Sequence, residues 1–124
     1  MQTRLHVVVV DDDASVCKAL SRLLRTSQMD VRTHTSAESF LNALEHRQPD
    51  CLILDIRMPG MSGPDLRQHL LDAGYRIPII FITAYAEDAL ANSSTEHVET
   101  LRKPFDNQTL LDAIDRAIQR DGSD

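Results

Sequence analysis

The sequence lacks several features that would place the chain in other classes of protein. No apolar run approaches the length of about 18 residues that a membrane-spanning helix needs, and the first residues do not resemble a secretion signal. Basic residues are outnumbered, with 13 Lys and Arg against 19 Asp and Glu. A surface that binds nucleic acid must neutralise phosphates, so this balance argues against one. We therefore expect no membrane contact, no direct nucleic-acid binding and a cytoplasmic location.

Cysteine is also scarce. The two cysteines, Cys17 and Cys51, form no CxxC or zinc-ligand pattern, and the five histidines show no metal-ligand spacing. Both cysteines fall in helix or strand patterns, so we expect them to be small buried hydrophobic residues.

What the sequence does contain is a regular alternation of strand and helix patterns. Its 124 residues suffice for one domain with its own core. Short strand patterns, each followed by a helical pattern, occur at residues 5–10, 30–34, 52–54, 78–82 and 98–102. This alternation predicts an α/β fold with a parallel sheet, helices on both faces and right-handed crossovers. We place the domain at residues 1–120 and a polar tail or the start of a linker at 121–124.

Four of the five predicted strands end at side chains that can do chemistry. Asp11, Asp12 and Asp13 follow the first strand, and the ends of the later strands carry Asp55, Thr83 and Lys103. The carboxyl ends of parallel strands share one edge of the sheet, which is where ligands bind in open α/β folds. Each residue alone has an ordinary explanation as a loop, strand-end or surface residue, whereas the set together favours a functional site.

The residue types in this set predict phosphoryl transfer. Clustered carboxylates raise one another's pKa values unless a cation lies between them, and hard oxygen ligands suit Mg²⁺. Asp55 can act as a nucleophile and form an acyl phosphate. Lys103 and the hydroxyl of Thr83 can bind oxygens of the incoming phosphoryl group.

These motifs resemble those of the response-regulator receiver domain of two-component signalling. The resemblance covers almost the whole chain and is carried by the segments 8–13, 54–63, 82–84 and 103–105. It implies a doubly wound, flavodoxin-like sheet of five strands in the order 2-1-3-4-5. It also implies a regulatory phosphoacceptor rather than an enzyme, which receives phosphate from a partner histidine kinase or histidine phosphotransfer protein. Once phosphorylated, such a domain would control an effector domain or a downstream protein, for example in transcription regulation. The resemblance is also compatible with a homodimer.

The resemblance implies a metal site at the acidic end of the sheet. Asp11 and Asp12 would form an acidic pair, with Asp12 as the direct ligand of Mg²⁺, or of Mn²⁺ in its place. Asp55, the phosphoacceptor, and the backbone carbonyl of Arg57 would complete the protein ligands.

It also implies a switch, from which this sequence departs. Thr83 would be the conformational switch residue and Lys103 the phosphate partner, joined to Pro104 by a cis peptide bond. Thr100, however, occupies the position where the family usually has Tyr or Phe. The segment between Thr83 and Lys103 is also short and lacks glycine. We therefore predict a shortened or irregular fourth helix and a remodelled signalling face.

Two other functions remain open on the sequence alone. The segment 11–15 also fits the start of haloacid-dehalogenase-like phosphohydrolases, with Asp11 as nucleophile. Their later acidic pair would have to be Asp112 and Asp115, which fall on the solvent face of the final helical pattern. The other alternative is a receiver-like module that binds partners without phosphorylation, which the departure at Thr100 keeps open.

We predict that backbone amides in residues 86–97 exchange with solvent faster than those of the other helical segments. The reason is that residues 92–95 provide no periodic apolar face to hold a helix against the core. Hydrogen–deuterium exchange followed by mass spectrometry measures this, with the first helix as the internal reference. Exchange in 86–97 as slow as in that helix would contradict the prediction.

Overall fold

The computed structural model describes residues 4–92 and 98–122. Within these ranges, strands and helices alternate from β1 to α5. The strands are β1 (His6–Val10), β2 (Asp30–His34), β3 (Cys51–Asp55), β4 (Ile79–Thr83) and β5 (Glu99–Arg102). The helices are α1 (Ala14–Thr26), α2 (Ala37–Leu44), α3 (Gly63–Asp72), α4 (Ala86–Asn92) and α5 (Asn107–Gly122).

The five strands form one parallel sheet in the order β2-β1-β3-β4-β5, which confirms the fold and strand order that the resemblance implies. Every residue of β1, β3 and β4 is buried, which explains why these strands are continuous apolar runs. β2 lies at one side of the sheet and is partly exposed, in keeping with its half-polar sequence.

The core has two layers because successive side chains of a strand point to opposite faces of the sheet. Val7 and Val9 pack with buried residues of α1 and α5 on one face. Val8 and Val10 pack with buried residues of α2 and α3 on the other. Both cysteines are buried, as predicted. None of the helices in the described part of the chain is long and apolar enough to cross a membrane.

The last helix extends further than the sequence predicted. α5 runs to Gly122, so it includes residues 121 and 122, the first two of the segment 121–124. Gln119 and Arg120 are good helix formers, whereas Asp121 and Gly122 are poor ones, so the sequence pattern does not indicate this last half-turn. Residues 123–124 lie outside the described ranges, and the position of the domain boundary stays a prediction.

α4 spans 7 residues, whereas the other helices have between 8 and 16. This length is consistent with the predicted short fourth helix. The rest of the segment that we predicted to be irregular, residues 93–97, lies outside the described ranges.

Gly63 fixes the backbone around the end of β3. It begins α3, and its N–H donates to the carbonyl oxygen of Ile56 at 2.9 Å. A Cβ atom at this position would overlap the carbonyl oxygen of Asp55 and lie 3.0 Å from the Cα atom of Ile56. The absence of a side chain therefore lets the start of α3 pack directly on the end of β3.

We predict that Gly63→Ala lowers the free energy of unfolding by about 1–3 kcal/mol, the usual effect of forcing an extra carbon into a packed site. Urea unfolding followed by circular dichroism measures it. Pro64→Ala is the matched control on the exposed side of the same turn and should change stability by less than about 1 kcal/mol. Equal unfolding midpoints for native protein and Gly63→Ala would show that the backbone yields without penalty.

Candidate functional site

Three carboxylates meet at the carboxyl edge of the sheet, as the sequence predicted. Asp11 follows β1 and Asp55 ends β3, and these strands are neighbours with Val10 opposite Leu54. One carboxylate oxygen from each of Asp11, Asp12 and Asp55 lies within 4.8 Å of the others. Asp11 and Asp55 are buried and Asp12 is exposed. We call this group the acidic pocket.

Lys103 brings a positive charge to the acidic pocket. Its Nζ lies 2.8 Å from Oδ2 of Asp11 and 3.8 Å from Oδ1 of Asp55. Burial alone would lower the pKa of Lys103, but the hydrogen bond and charge of Asp11, together with the charge of Asp55, raise it. The peptide bond from Lys103 to Pro104 is cis, as the resemblance implies.

One ammonium group does not balance the three carboxylates. Burial, followed by the negative charge of Asp11, raises the pKa of Asp55 to about 7 even though Lys103 lowers it. Close carboxylates of this kind are stabilised by a further cation, and hard oxygen donors suit Mg²⁺. The residues of the acidic pocket therefore fit a divalent cation.

Thr83 ends β4 beside the pocket, but its hydroxyl group is bonded to α4. Its Oγ1 donates to Oδ2 of Asp88 at 2.9 Å and accepts from the backbone N–H of Tyr85 at 3.1 Å. The side chain is buried, so this hydroxyl is withheld from water. Its backbone carbonyl accepts from the N–H of Lys103 at 2.7 Å, which ties the ends of β4 and β5 together.

The side chain of Arg57 contacts α4. Its Nε donates to Oδ2 of Asp88 at 2.7 Å and its Nη2 donates to Oδ1 at 3.1 Å. Its guanidinium carbon lies 3.8 Å from the ring centroid of Tyr85. The hydrogen bond from Arg57 lowers the pKa of Asp88, which is therefore ionised at neutral pH.

Sequence reasoning did not identify Asp88. A carboxylate in the first turn of a helix has an ordinary explanation as a partner of the helix dipole, so nothing in the spacing singles it out. Its involvement depends on the position of Arg57, which is 31 residues away in the chain. The backbone carbonyl of Arg57 as a metal ligand stays a prediction.

Thr100 lies in β5 opposite Phe81 of β4. Its Oγ1 is buried and has no hydrogen-bond partner among the residues that the structure describes. The position where the resemblance expects an aromatic ring thus holds a small polar side chain.

The acidic pair required by the phosphohydrolase alternative is not part of the acidic pocket. Asp112 and Asp115 are exposed on α5, and Asp112 accepts a hydrogen bond from Gln108 on the same helix at 2.8 Å. Within the described residues, the carboxylates that come close enough to share a metal ion are Asp11, Asp12 and Asp55.

Comparison with known proteins identifies the family. The family model of the response regulator receiver domain matches residues 7–115. The chain is 41% identical over 114 residues to the transcriptional regulatory protein TdiR of Thauera aromatica, covering 90% of this chain and 50% of TdiR. It is 39% identical over 122 residues to the response regulator protein TodT of Pseudomonas putida, covering 96% of this chain and 54% of TodT.

A solved structure agrees. A response regulator receiver protein from Burkholderia phymatum superposes with a TM-score of 0.77 at 40% identity, covering 94% of this chain and 96% of that one. The chain therefore belongs to the response-regulator receiver family and is the receiver domain of a two-component response regulator. It spans about half the length of the curated relatives that it matches.

We predict that Asp55→Asn stabilises the metal-free protein at pH 8. Burial and the charge of Asp11 raise the pKa of Asp55 from 3.8 to about 7 in the folded state. Protonated Asp55 therefore contributes to the free energy of unfolding, and this contribution is complete below pH 3.8. This contribution is lost as the pH rises through 7. The variant removes the charge and should raise the free energy of unfolding by at least about 1 kcal/mol, since one pKa unit corresponds to about 1.4 kcal/mol.

Urea unfolding in the presence of a chelator, at pH 8 and pH 5, measures this difference, which should shrink at the lower pH. Asp65→Asn removes the same charge from an exposed position on α3 and is the matched control, with little effect at either pH. A native protein that is more stable than Asp55→Asn at pH 8 would contradict the prediction.

Proposed function

We propose that this domain accepts a phosphoryl group on Asp55 from a partner histidine kinase or histidine phosphotransfer protein, with Mg²⁺ at the acidic pocket. A carboxylate oxygen of Asp55 bonds to phosphorus while the bond from phosphorus to the donor histidine nitrogen breaks, and that nitrogen keeps the electron pair. The product is an acyl phosphate. The observation that carries the proposal is the buried Asp55 carboxylate within 4.8 Å of two other carboxylates, with the Lys103 ammonium 3.8 Å away.

The metal-binding roles follow from what each carboxylate already binds. Both oxygens of Asp11 are engaged, Oδ1 by the N–H of Asp13 at 2.9 Å and Oδ2 by Lys103 at 2.8 Å. The exposed Asp12 is therefore the better direct ligand, together with Asp55 and the backbone carbonyl of Arg57. When bound, Mg²⁺, or Mn²⁺ in its place, offsets negative charge on the phosphoryl oxygens.

Lys103 and Thr83 act on the phosphoryl group once it is on Asp55. Lys103 is close enough to Asp55 to bind a phosphoryl oxygen, and its raised pKa keeps it charged. Thr83 becomes the switch residue when its hydroxyl turns towards another phosphoryl oxygen. Phosphorylation adds about 1.5 to 2 negative charges to this edge of the sheet, which is enough to reorder nearby groups.

We further propose that the domain controls an effector region or a downstream protein. Its relatives of about twice this length include TdiR, which is named a transcriptional regulatory protein, so the output we propose is transcription regulation in the cytoplasm. Dimerisation of the phosphorylated domain is compatible with this role.

Intact-mass spectrometry after incubation with acetyl phosphate and Mg²⁺ tests the acceptor. We expect the native chain to gain one phosphoryl group and Asp55→Asn to gain none, because the amide is not a nucleophile under these conditions. Chelation of the metal should lower the uptake by the native chain.

Asp65→Asn is again the matched control, because it removes an exposed carboxylate outside the acidic pocket and should take up phosphate like the native chain. Equal uptake by the native chain and Asp55→Asn would contradict the proposed acceptor. No uptake by the native chain would favour the alternative of a module that works without phosphorylation.

A further inference from the structure

The hydroxyl group of Thr83 cannot serve α4 and a phosphoryl group at the same time. A hydroxyl has one proton to donate. In this structure that proton is given to Oδ2 of Asp88 at 2.9 Å. The bond to Asp88 must therefore break before Thr83 can donate to a phosphoryl oxygen on Asp55.

Asp88 is held firmly in the position where it captures Thr83. Arg57 donates hydrogen bonds to both oxygens of the Asp88 carboxylate, at 2.7 and 3.1 Å. Bidentate, charge-assisted hydrogen bonds of this kind are strong and directional. The Asp88 side chain is only 16% exposed, so water does not readily replace either partner. Arg57 is itself steadied by the ring of Tyr85.

We propose that Asp88 is a positioning residue that holds Thr83 in the unphosphorylated state, and that Arg57 keeps Asp88 in place. We call the bonds from Thr83 to Asp88 and from Arg57 to Asp88 the Asp88 latch. The inference rests on the proposed phosphorylation of Asp55. The rate of phosphorylation and the extent of switching are then limited by the small fraction of molecules in which the latch is open.

The latch also provides a route for the signal to leave the acidic pocket. Arg57 lies two residues after Asp55, and Asp88 lies in the first turn of α4. When Thr83 turns to the phosphoryl group, Asp88 loses a hydrogen bond and the start of α4 is released from β4. Thr100 has no ring that could carry this change, so the first turn of α4 carries it instead.

The first test is the initial rate of phosphate uptake from acetyl phosphate in Mg²⁺ buffer. Asp88→Ala should react about three- to tenfold faster than the native chain, the change that one net hydrogen bond makes to an equilibrium. Glu87→Ala is the matched control, since Glu87 is the neighbouring acid and also pairs with Arg57, at 3.3 Å, but is 69% exposed. Its rate should change less than twofold.

Coupling to Thr83 distinguishes the latch from a simple loss of negative charge. In a Thr83→Val background, where no hydroxyl can be captured, Asp88→Ala should have no further effect on the rate. An equal acceleration in both backgrounds, or an equal acceleration by Glu87→Ala, would overturn the latch.

A second test needs no phosphate. Three-bond couplings to the Thr83 methyl carbon, measured by NMR, report the χ1 rotamer of this side chain. We expect one rotamer in the native chain and averaging over rotamers in Asp88→Ala. Arg57→Gln removes the bidentate hydrogen bonds to Asp88 and leaves Thr83 and Asp88 unchanged, so it should also cause averaging over the Thr83 rotamers. This variant replaces Asp88→Ala in the test if Asp88→Ala does not fold.

A single Thr83 rotamer in both variants would overturn the latch, whatever the phosphorylation rates. If no variant takes up phosphate but the rotamers average as expected, the latch stands and the proposed acceptor function fails.

Discussion

Like charges held together at the carboxyl edge of the sheet are the constraint on which the rest of this structure depends. Asp11 and Asp55 are buried there, and the ammonium group of Lys103 faces both of them. The fold places them so because β1 and β3 are neighbours and end at the same level. Burial and mutual repulsion leave Asp55 with a raised pKa. This edge of the sheet therefore favours the binding of further positive charge, and without it the ionised carboxylates lower the free energy of unfolding.

The sequence was sufficient to predict the sheet and the acidic pocket for physical reasons. Strands buried on both faces must be continuously apolar, so the runs Val7–Val10 and Leu52–Leu54 could be recognised as buried strands. Parallel strands bring their carboxyl ends to one edge, so Asp11, Asp55 and Lys103 could be placed together without knowing any distance. The helix end at Gly122 was missed because an apolar stripe can stop before the helix does.

The contacts around Thr83 could not be predicted in the same way. They depend on how far a loop side chain, Arg57, reaches and on which acid of α4 it meets. Glu87 and Asp88 are adjacent and chemically alike, and only the three-dimensional path of the chain decides that Asp88 receives both Arg57 and Thr83. Pattern reasoning identifies residues that share an element's periodicity, whereas this arrangement joins a loop, a strand end and a helix.

The packing of Gly63 on β3 has a mechanical consequence. Two backbone hydrogen bonds hold the loop of residues 56–62 at its ends. At the start, the N–H of Ile56 donates to the carbonyl oxygen of Ile82 at 3.0 Å, and at the end, the N–H of Gly63 donates to the carbonyl oxygen of Ile56 at 2.9 Å. A loop closed on itself in this way has little freedom to absorb a disturbance at Asp55 by shifting its backbone. Displacement there is passed outward through side chains instead, and the side chain of Arg57 reaches Asp88 on α4.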